Sequence, residues 1–523
     1  MSGRTLVRPD GRVVAPWEPS TQWPGSHHLA ARNGREEAAV GVDFGTGQAG
    51  ARHPLAEPAL GSLLQQRAAQ VAGAFERIEP VLRALARTQF DLRFAEMARH
   101  TLAESLGVDV PTEALTSSWS RPLDLGTVHA ECVLQTFRNI VDRANRLDLA
   151  ALEDGEEVAV LIQRFGFHAV DITSCADGRL GGVIDFILRV PPAVVTSRDS
   201  FAGAMFDVEA ALHRWEAIEL SRWREGVPND VEDDTRYLKI GVYHFSSLDP
   251  THQGCAAHGS DETRAATGLQ QRLDEFAGAV GSVHGHAARV ATLLVGVDTD
   301  TDAIRVHVPD AAGLTSVDRF ISSSELYGRT ADLERAAAKE LIRDEVAECA
   351  GVDVDHVPTV GVRWLCGYLL KNNIGQVDAV RHAGGNHADQ GHAERLAVVG
   401  DPVDDVQLRN LAFQAQMRTL EEGVDDLDVG TQILRSTHVP RGLAVPVLVH
   451  VSYDDRIPGA DTQASARAAR LVRAIEQRYE CVDDEVGLVV KAVVRPRGAS
   501  TLGEFEPRPV ESTDHCSEEG GHA

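Results

Sequence analysis

From about Glu156 onward the chain alternates two textures that no single layer of structure can satisfy: short runs rich in β-branched and aromatic residues, and longer runs with apolar residues every three to four positions. HAVDITSC and YLKIGVYHF read as strands, as do EEVAVLIQRF and GGVIDFILRV. SFAGAMFDVEAALHRWEAIEL reads as a helix, and helical patterns recur around 262–280 and 329–349. Strands alternating with helices predict an α/β layered architecture. After the Gly- and His-rich stretch AGGNHADQGHAER (383–395) the texture restarts. Residues 407–421 are expected to be helical, AVPVLVHVSYDD a strand, TQASARAARLVRAIEQRYE a helix and GLVVKAVV a strand.

The N-terminal part differs. Between Leu60 and Ala150 the apolar positions follow a helical period, and residues 1–55 follow none while being rich in Pro, Gly, Arg and His. The expected division is a disordered basic arm at 1–55, a helical domain at 56–152, a metal-bearing α/β domain at 153–399, and a related C-terminal domain with an acidic tail at 400–523. A length of 523 residues exceeds what one core fills, in keeping with several domains.

Charge excludes some functions. A formal net charge of -27 opposes any nucleic-acid or anionic-membrane surface, because phosphate binding needs a concentrated positive field. Against that background residues 1–35 are locally basic, with five arginines and two acids. No run approaches the roughly 18 apolar residues of a membrane span, and the N-terminus MSGRTLVRPDGRVV lacks the apolar stretch of an export signal, so a cytoplasmic location is expected. Seven scattered cysteines do not suggest a disulfide framework. The glycines of GVDFGTGQAG (41–50) lack the Lys and preceding strand of a phosphate loop and read as a linker.

Two cysteines have chemical company. The strand HAVDITS delivers Cys175 at its C-terminal end, followed by Ala176, Asp177, Gly178 and Arg179. The strand LKIGVY ends at His244, and Cys255 opens the helical-looking CAAHGSDE. A lone Cys at a strand end is ordinarily core. Two cysteines and a histidine at strand ends make a three-ligand zinc set, which leaves a fourth coordination position for water. His252 lies at H-x-x-C spacing from Cys255 and is the alternative to His244.

C-A-D-G-R with a later strand-terminal His and a Cys resembles the β-class carbonic anhydrases, whose signature is C-x-D-x-R and H-x-x-C. The longer stretch YHFSSLDPTHQGCAAHGSDE is more similar to the enlarged carbonic anhydrases of α-type carboxysomes. That resemblance implies a helical N-terminal domain, a catalytic domain and a related C-terminal domain lacking the metal site. It implies one Zn2+ per chain on Cys175, His244 and Cys255, with Asp177 and Arg179 as a catalytic pair. The reaction implied is zinc-hydroxide-mediated hydration of carbon dioxide to bicarbonate, supplying Rubisco within a carboxysome. GHAER (391–395) resembles a segment near the active site of those enzymes, making His392 and Glu394 candidates for the substrate pocket or a proton relay. Shell proteins or Rubisco would be partners, reached through the basic arm, and a homo-oligomer is expected. The competing reading is a structural zinc-binding shell or scaffold protein, which would need a fourth ligand such as His252 or His258. Finally, Ser452-Tyr453-Asp454-Asp455-Arg456, after strand AVPVLVHV, matches Cys175 to Arg179 with the Cys replaced by Ser, which predicts a second copy without metal.

Overall fold

The computed structural model describes residues 52–56, 58–118, 121–144, 166–190, 194–226, 236–285, 290–351, 360–387, 394–403, 408–417, 420–479 and 487–506. It also describes a separate two-strand ladder, β1 (Leu6–Val7) antiparallel to β2 (Val13–Val14). The rest of the basic arm up to residue 51, the strand expected at 156–165, His392 and the tail beyond residue 506 lie outside the described residues.

Four helices come first: α1 (Pro58–Glu76), α2 (Ile78–Ala86), α3 (Phe94–Leu106) and α4 (Leu125–Ala144). Helix α3 stops at Gly107, whose φ of 68° is a conformation that a side chain would strain. The apolar face of α4 (Val128, Val133, Phe137, Val141) joins Leu396, Leu448, Val489 and Val493 of a sheet far along the chain in one buried cluster. The helical segment therefore shares its core with the C-terminal sheet. The last four residues of the expected arm are also fixed. Leu55 is buried in the core of the first sheet, Arg52 pairs with Asp378 at 3.0 Å, and the His53 ring bonds Thr330 at 3.0 Å. Disorder is contradicted for 52–55, because Leu55 buries apolar surface that an arm would leave in water.

The first sheet has the order β4-β3-β5-β6-β7-β8, from β3 (Phe167–Cys175), β4 (Ser197–Phe201), β5 (Arg236–Phe245), β6 (Val290–Asp298), β7 (Ile304–His307) and β8 (Phe320–Ser322). Strands β3 to β6 are parallel, and β7 and β8 complete the sheet antiparallel. The central strands β3 and β5 are buried almost throughout, as parallel strands covered on both faces must be. The covering helices are α5 (Val208–Arg224), α6 (Glu262–His284), α7 (Ser323–Thr330), α8 (Arg335–Ala350) and α9 (Val360–His382). Asp207 and Asp261 cap α5 and α6 by accepting the backbone N–H three residues on. Lys239, fully buried on β5, donates to Asp171 and Thr173 of β3 at 2.8 and 2.7 Å, which satisfies a charge that burial alone would make costly.

The second sheet, all parallel, has the order β10-β9-β11-β12, from β9 (Leu396–Gly400), β10 (Ala412–Gln416), β11 (Val445–Tyr453) and β12 (Leu488–Pro496). Helix α10 (Leu420–His438) follows β10, and α11 (Ala460–Tyr479) follows β11. The succession strand, strand, helix, strand, helix, strand is the same as from β3 to β6, and so is the spatial order of the four strands. The mixed α/β class with two related sheets is thereby met. Among the described residues no helix is long and apolar enough to cross a membrane.

Four further sequence expectations differ from the structure. VIDFIL (183–188), expected as strand, is a π-helical turn with every residue buried. A short apolar run enclosed on all sides carries no period to tell the two apart. Residues 407–421, expected as helix, contain β10. The boundary expected between 399 and 400 cuts β9, whose whole ladder is with β10 and β11. Finally, strand order makes β11, which leads into Ser452–Arg456, the counterpart of β5 rather than of the Cys175 strand β3, whose counterpart is β9. The match of S-x-D-x-R to C-x-D-x-R is thus out of register with the repeat.

Candidate metal centre

Strands β3 and β5 run parallel with Ser174 opposite Val242, so Cys175 and His244 emerge at the same end of adjacent strands. In open α/β sheets this carboxyl end is where ligands bind. After β5 the chain makes an excursion tied down from β6's end: Ser246 Oγ and the Leu248 N–H donate to Asp300 at 2.7 and 2.9 Å, and Ser247 Oγ donates to Asp298 at 2.7 Å. The excursion returns Cys255 to the sheet end just before a single 3-10 turn (Ala256–His258).

The result is a buried cluster of Cys175, His244 and Cys255 whose ligand atoms all lie within 4.8 Å of one another, and no other such cluster occurs among the described residues. The two Sγ atoms are 3.9 Å apart. That is far beyond a disulfide bond of about 2.05 Å. It is close to the roughly 3.8 Å that two sulfurs take in a tetrahedral site with Zn–S of about 2.3 Å. Both ring nitrogens of His244 are without a hydrogen-bond partner although the residue is 1% exposed. A buried imidazole with no hydrogen bond to the protein needs an explanation, and a cation on one nitrogen provides it. The donor set therefore fits a thiophilic divalent metal. The Cys175 thiol, hydrogen-bonded to Cys255 and buried, is pushed well above the usual thiol range, while the same hydrogen bond holds Cys255 below it.

His252 stands apart, with its side chain 53% exposed and its Nδ1 2.9 Å from Asp249. His258 also turns away, its Nε2 3.4 Å from the Gly203 carbonyl. Neither is brought into the cluster.

Asp177 and Arg179 form a closed fork beside it. Arg179 Nε donates to Asp177 Oδ1 at 2.9 Å, NH2 donates to Oδ2 at 2.7 Å, and the Arg179 backbone N–H caps the same carboxylate at 2.9 Å. The other guanidinium nitrogen donates to the Gln253 carbonyl at 2.8 Å and to Thr299 Oγ1 at 3.3 Å. Burial alone would raise the Asp177 carboxyl, yet Arg179 and then His244 hold it well below the usual carboxylate range. Its Oδ2 is 3.5 Å from His244 Nε2, which places the charge at the edge of the cluster.

Glu394, from the segment leading into β9, is 6% exposed and accepts the Gly178 N–H at 2.7 Å. Burial and then the negative Asp177 push its carboxyl up to about 7. A Cβ on Gly178 would stand 3.0 Å from Glu394 Cγ and 3.2 Å from the Ala412 carbonyl, so a side chain there would have to push these neighbours aside by a few tenths of an ångström. Sequence reasoning missed the residues that hold the 176–179 loop from the second sheet. The Gln414 N–H donates to the Ala176 carbonyl at 3.2 Å, the Asn410 N–H to Gly178 at 2.8 Å, and Arg409 to Arg179 at 3.4 Å. The alternating AFQAQ of β10 was the available signal, obscured by a helical assignment.

The comparisons with known proteins agree with this arrangement. Family models described as the N-terminal, catalytic and C-terminal parts of Carboxysome Shell Carbonic Anhydrase match residues 53–145, 157–392 and 393–506. The chain is 40% identical over 457 residues to a carboxysome shell carbonic anhydrase of Prochlorococcus marinus (strain MIT 9313), covering 86% of this chain and 88% of that protein. It is 38% identical over 442 residues to one of Halothiobacillus neapolitanus, covering 83% and 86%. With every residue of the Cys175, His244 and Cys255 cluster inside the segment matched as catalytic, the chain belongs to the carboxysome shell carbonic anhydrase family, a family of enzymes.

Proposed function

We propose that the chain hydrates carbon dioxide reversibly to bicarbonate at one zinc per chain held by Cys175, His244 and Cys255, inside a carboxysome, where the carbon dioxide it forms from bicarbonate supplies Rubisco. The observation that carries the reading is the buried three-donor cluster with its 3.9 Å sulfur separation and unpartnered imidazole. When bound, zinc supplies a Lewis acid that lowers the pKa of a water to about 7 and so provides a nucleophile near neutral pH.

The remaining work falls to the protein's own groups. Asp177, kept ionised, accepts a hydrogen bond from the attacking water and orients it. Arg179, forked on both carboxylate oxygens, keeps that acceptor charged and prevents it from turning toward the cluster to become a ligand itself. Glu394, with a carboxyl pushed up to about 7, extends the pocket or the proton path, a role the family resemblance gives also to His392, which lies outside the described residues. A structural zinc site would need a fourth ligand, and both histidines considered for it point elsewhere. The segments 56–152, 153–395 and 396–506 act as helical, catalytic and metal-free domains, and the chain assembles as a homo-oligomer. The basic arm tethers the enzyme to an acidic shell or Rubisco surface. Its deletion should spare hydration and weaken salt-sensitive co-sedimentation, and unchanged co-sedimentation at low salt would count against the tether.

Stopped-flow hydration of carbon dioxide tests the reading directly. Activity should follow zinc content, disappear with a chelator and return on adding zinc. A zinc-replete protein with no hydration above background would overturn it.

A further inference from the structure

The loop that carries Asp177 and Arg179 has little of its own to hold it: it is a single 3-10 turn (Gly178–Leu180). Part of its restraint comes from the turn that precedes β10, whose Asn410 N–H donates to the Gly178 carbonyl at 2.8 Å. There Arg409, whose side chain is 13% exposed, spans three acceptors on the first sheet's side. One NH1 proton goes to the Arg179 carbonyl at 3.4 Å and another to Asp302 Oδ1 at 2.7 Å, and NH2 donates to the Thr299 carbonyl. Thr299 is the residue whose hydroxyl receives the Arg179 guanidinium. Arg409 thus grips both ends of the Arg179 arrangement, its main chain and the support of its side chain.

The anchor is rigid. Asp302 has φ 59°, and its carboxylate also takes Gln376 Nε2 at 3.0 Å and His387 Nε2 at 3.1 Å. Its carbonyl accepts from Asn373 at 2.8 Å. Setting a second buried guanidinium beside Arg179 brings like charges together. It is tolerable only because Asp302 and Asp177 balance them, and an apolar residue would give the contact between the sheets without that repulsion. What the guanidinium adds is a planar fork that fixes two carbonyls and a carboxylate at once.

We propose that Arg409 is a positioning residue for the Asp177–Arg179 pair, supplied to the active half by the metal-free half, and that it acts by clamping the Arg179 and Thr299 main chains against Asp302. The proposal rests on the role given above to Asp177. It predicts that Arg409 matters only while Asp177 can do its work.

The test is a double-mutant cycle on the full-length, zinc-loaded chain, with kcat, KM, metal content and melting temperature measured for Arg409→Met, Asp177→Asn and the pair. Arg409→Met should lower kcat by about 10- to 100-fold, with KM within about threefold and one metal per chain, as expected for a misplaced catalytic group. Arg409→Lys, which keeps the charge and loses the fork, should fall between. In the Asp177→Asn background Arg409→Met should cost less than about twofold, because residues acting as a unit are non-additive. The same factor in both backgrounds, or wild-type kcat in folded Arg409→Met, would overturn the proposal. If the Met variant does not fold, the Lys variant carries the same cycle with the same criterion. An Asp177→Asn enzyme with full activity would overturn the role of the pair and this proposal together. A crippled Asp177→Asn with an additive Arg409 effect would overturn this proposal alone.

Discussion

The two sheets share one strand order and one succession of elements, and they carry different chemistry at the same place. Where β3 and β5 end, Cys175 and His244 turn toward each other with Cys255 beside them. Where their counterparts β9 and β11 end, Asp401 Oδ2 accepts the Ser452 N–H at 2.7 Å and the Ser452 hydroxyl at 3.0 Å, with Arg467 3.4 Å from the other oxygen. One strand-end crevice gathers two thiols and an imidazole whose ring nitrogens make no hydrogen bond. The other is closed by its own hydrogen bonds, and a lone carboxylate beside a serine hydroxyl falls short of the three protein ligands a zinc site needs. The difference teaches that the fold provides the crevice and the side chains decide whether it stays available to a metal.

The largest effect expected from this contrast concerns the metal itself. Cys175→Ser, His244→Ala or Cys255→Ser should each bring bound zinc below about 0.1 per chain and hydration to background, since thiolate and imidazole ligands have no replacement nearby. Ser452→Ala should leave one zinc per chain and near-wild-type activity. Elemental analysis beside the hydration assay decides. A second tightly bound zinc lost on mutating Asp401 or Ser452 would break the contrast, and His252→Ala stripping the metal would move the ligand assignment.

A sharper comparison uses two forks that look alike. Asp454 and Arg456 reproduce the Asp177–Arg179 hydrogen bonds: backbone N–H at 3.0 Å, Nε at 2.8 Å and NH2 at 2.6 Å. Yet the Arg456 side chain is 85% exposed, against 18% for Arg179. Arg179→Gln should cost about 10- to 100-fold in kcat, the range typical of residues that orient a metal site. Arg456→Gln should stay within about twofold, as exposed ion pairs do. Equal losses would show that the fork matters for the fold and not for catalysis.

These forks also mark how far the sequence could be read. That Cys175, Asp177, Arg179 and His244 come to one sheet end was legible because near-continuous apolar, β-branched runs bounded by polar residues mark the two strands that carry them. Choosing His244 over His252 needed only the strand's terminus. The register of the second copy was not legible. Asp-x-Arg makes the same local fork after β3 and after β11, which are not counterparts, so the short match carried no information about which strand it followed. The edge strands escaped for another reason. β4 reads SRDSF and β10 reads AFQAQ because they face each other across the sheets, where Gln416 donates to Asp199 at 2.7 Å and accepts the Ser200 N–H at 3.2 Å. Buried polar pairing of this kind looks like loop or helix surface in one dimension.

The crevice of the second sheet gives a smaller, purely structural expectation. Asp401→Ala removes an acceptor from Ser452 and Arg467 and should cost about 1–3 kcal/mol of stability, with zinc content unchanged. Ser452→Ala, which leaves the backbone N–H bond in place, should cost about 0.5–1.5 kcal/mol. Denaturant midpoints rank the two, and a reversed order would mean that the hydroxyl, not the carboxylate, closes the crevice.

The last effect lies at the seam between the halves and depends on pH. Asp426, on α10 of the second unit, accepts the Ala202 N–H just beyond β4 at 2.9 Å. Burial is the main cause that pushes its carboxyl up to about 7, and neighbouring Asp425 adds to it. In the unfolded chain the same group titrates near 3.8. Between those values the native state binds more protons than the unfolded state, so stability must fall as pH rises through the window. The loss is roughly 1–3 kcal/mol between pH 5 and 8, allowing for partial water access to the seam. Asp426→Asn keeps an oxygen for the Ala202 N–H and cannot ionise. The variant should therefore come closest to the parent below about pH 4, exceed it in melting temperature increasingly up to pH 8, and show a flatter profile between. An unchanged slope would mean that Asp426 enters the fold already ionised and that the seam contains a countercharge among groups not accounted for by Ala202 and Asp425.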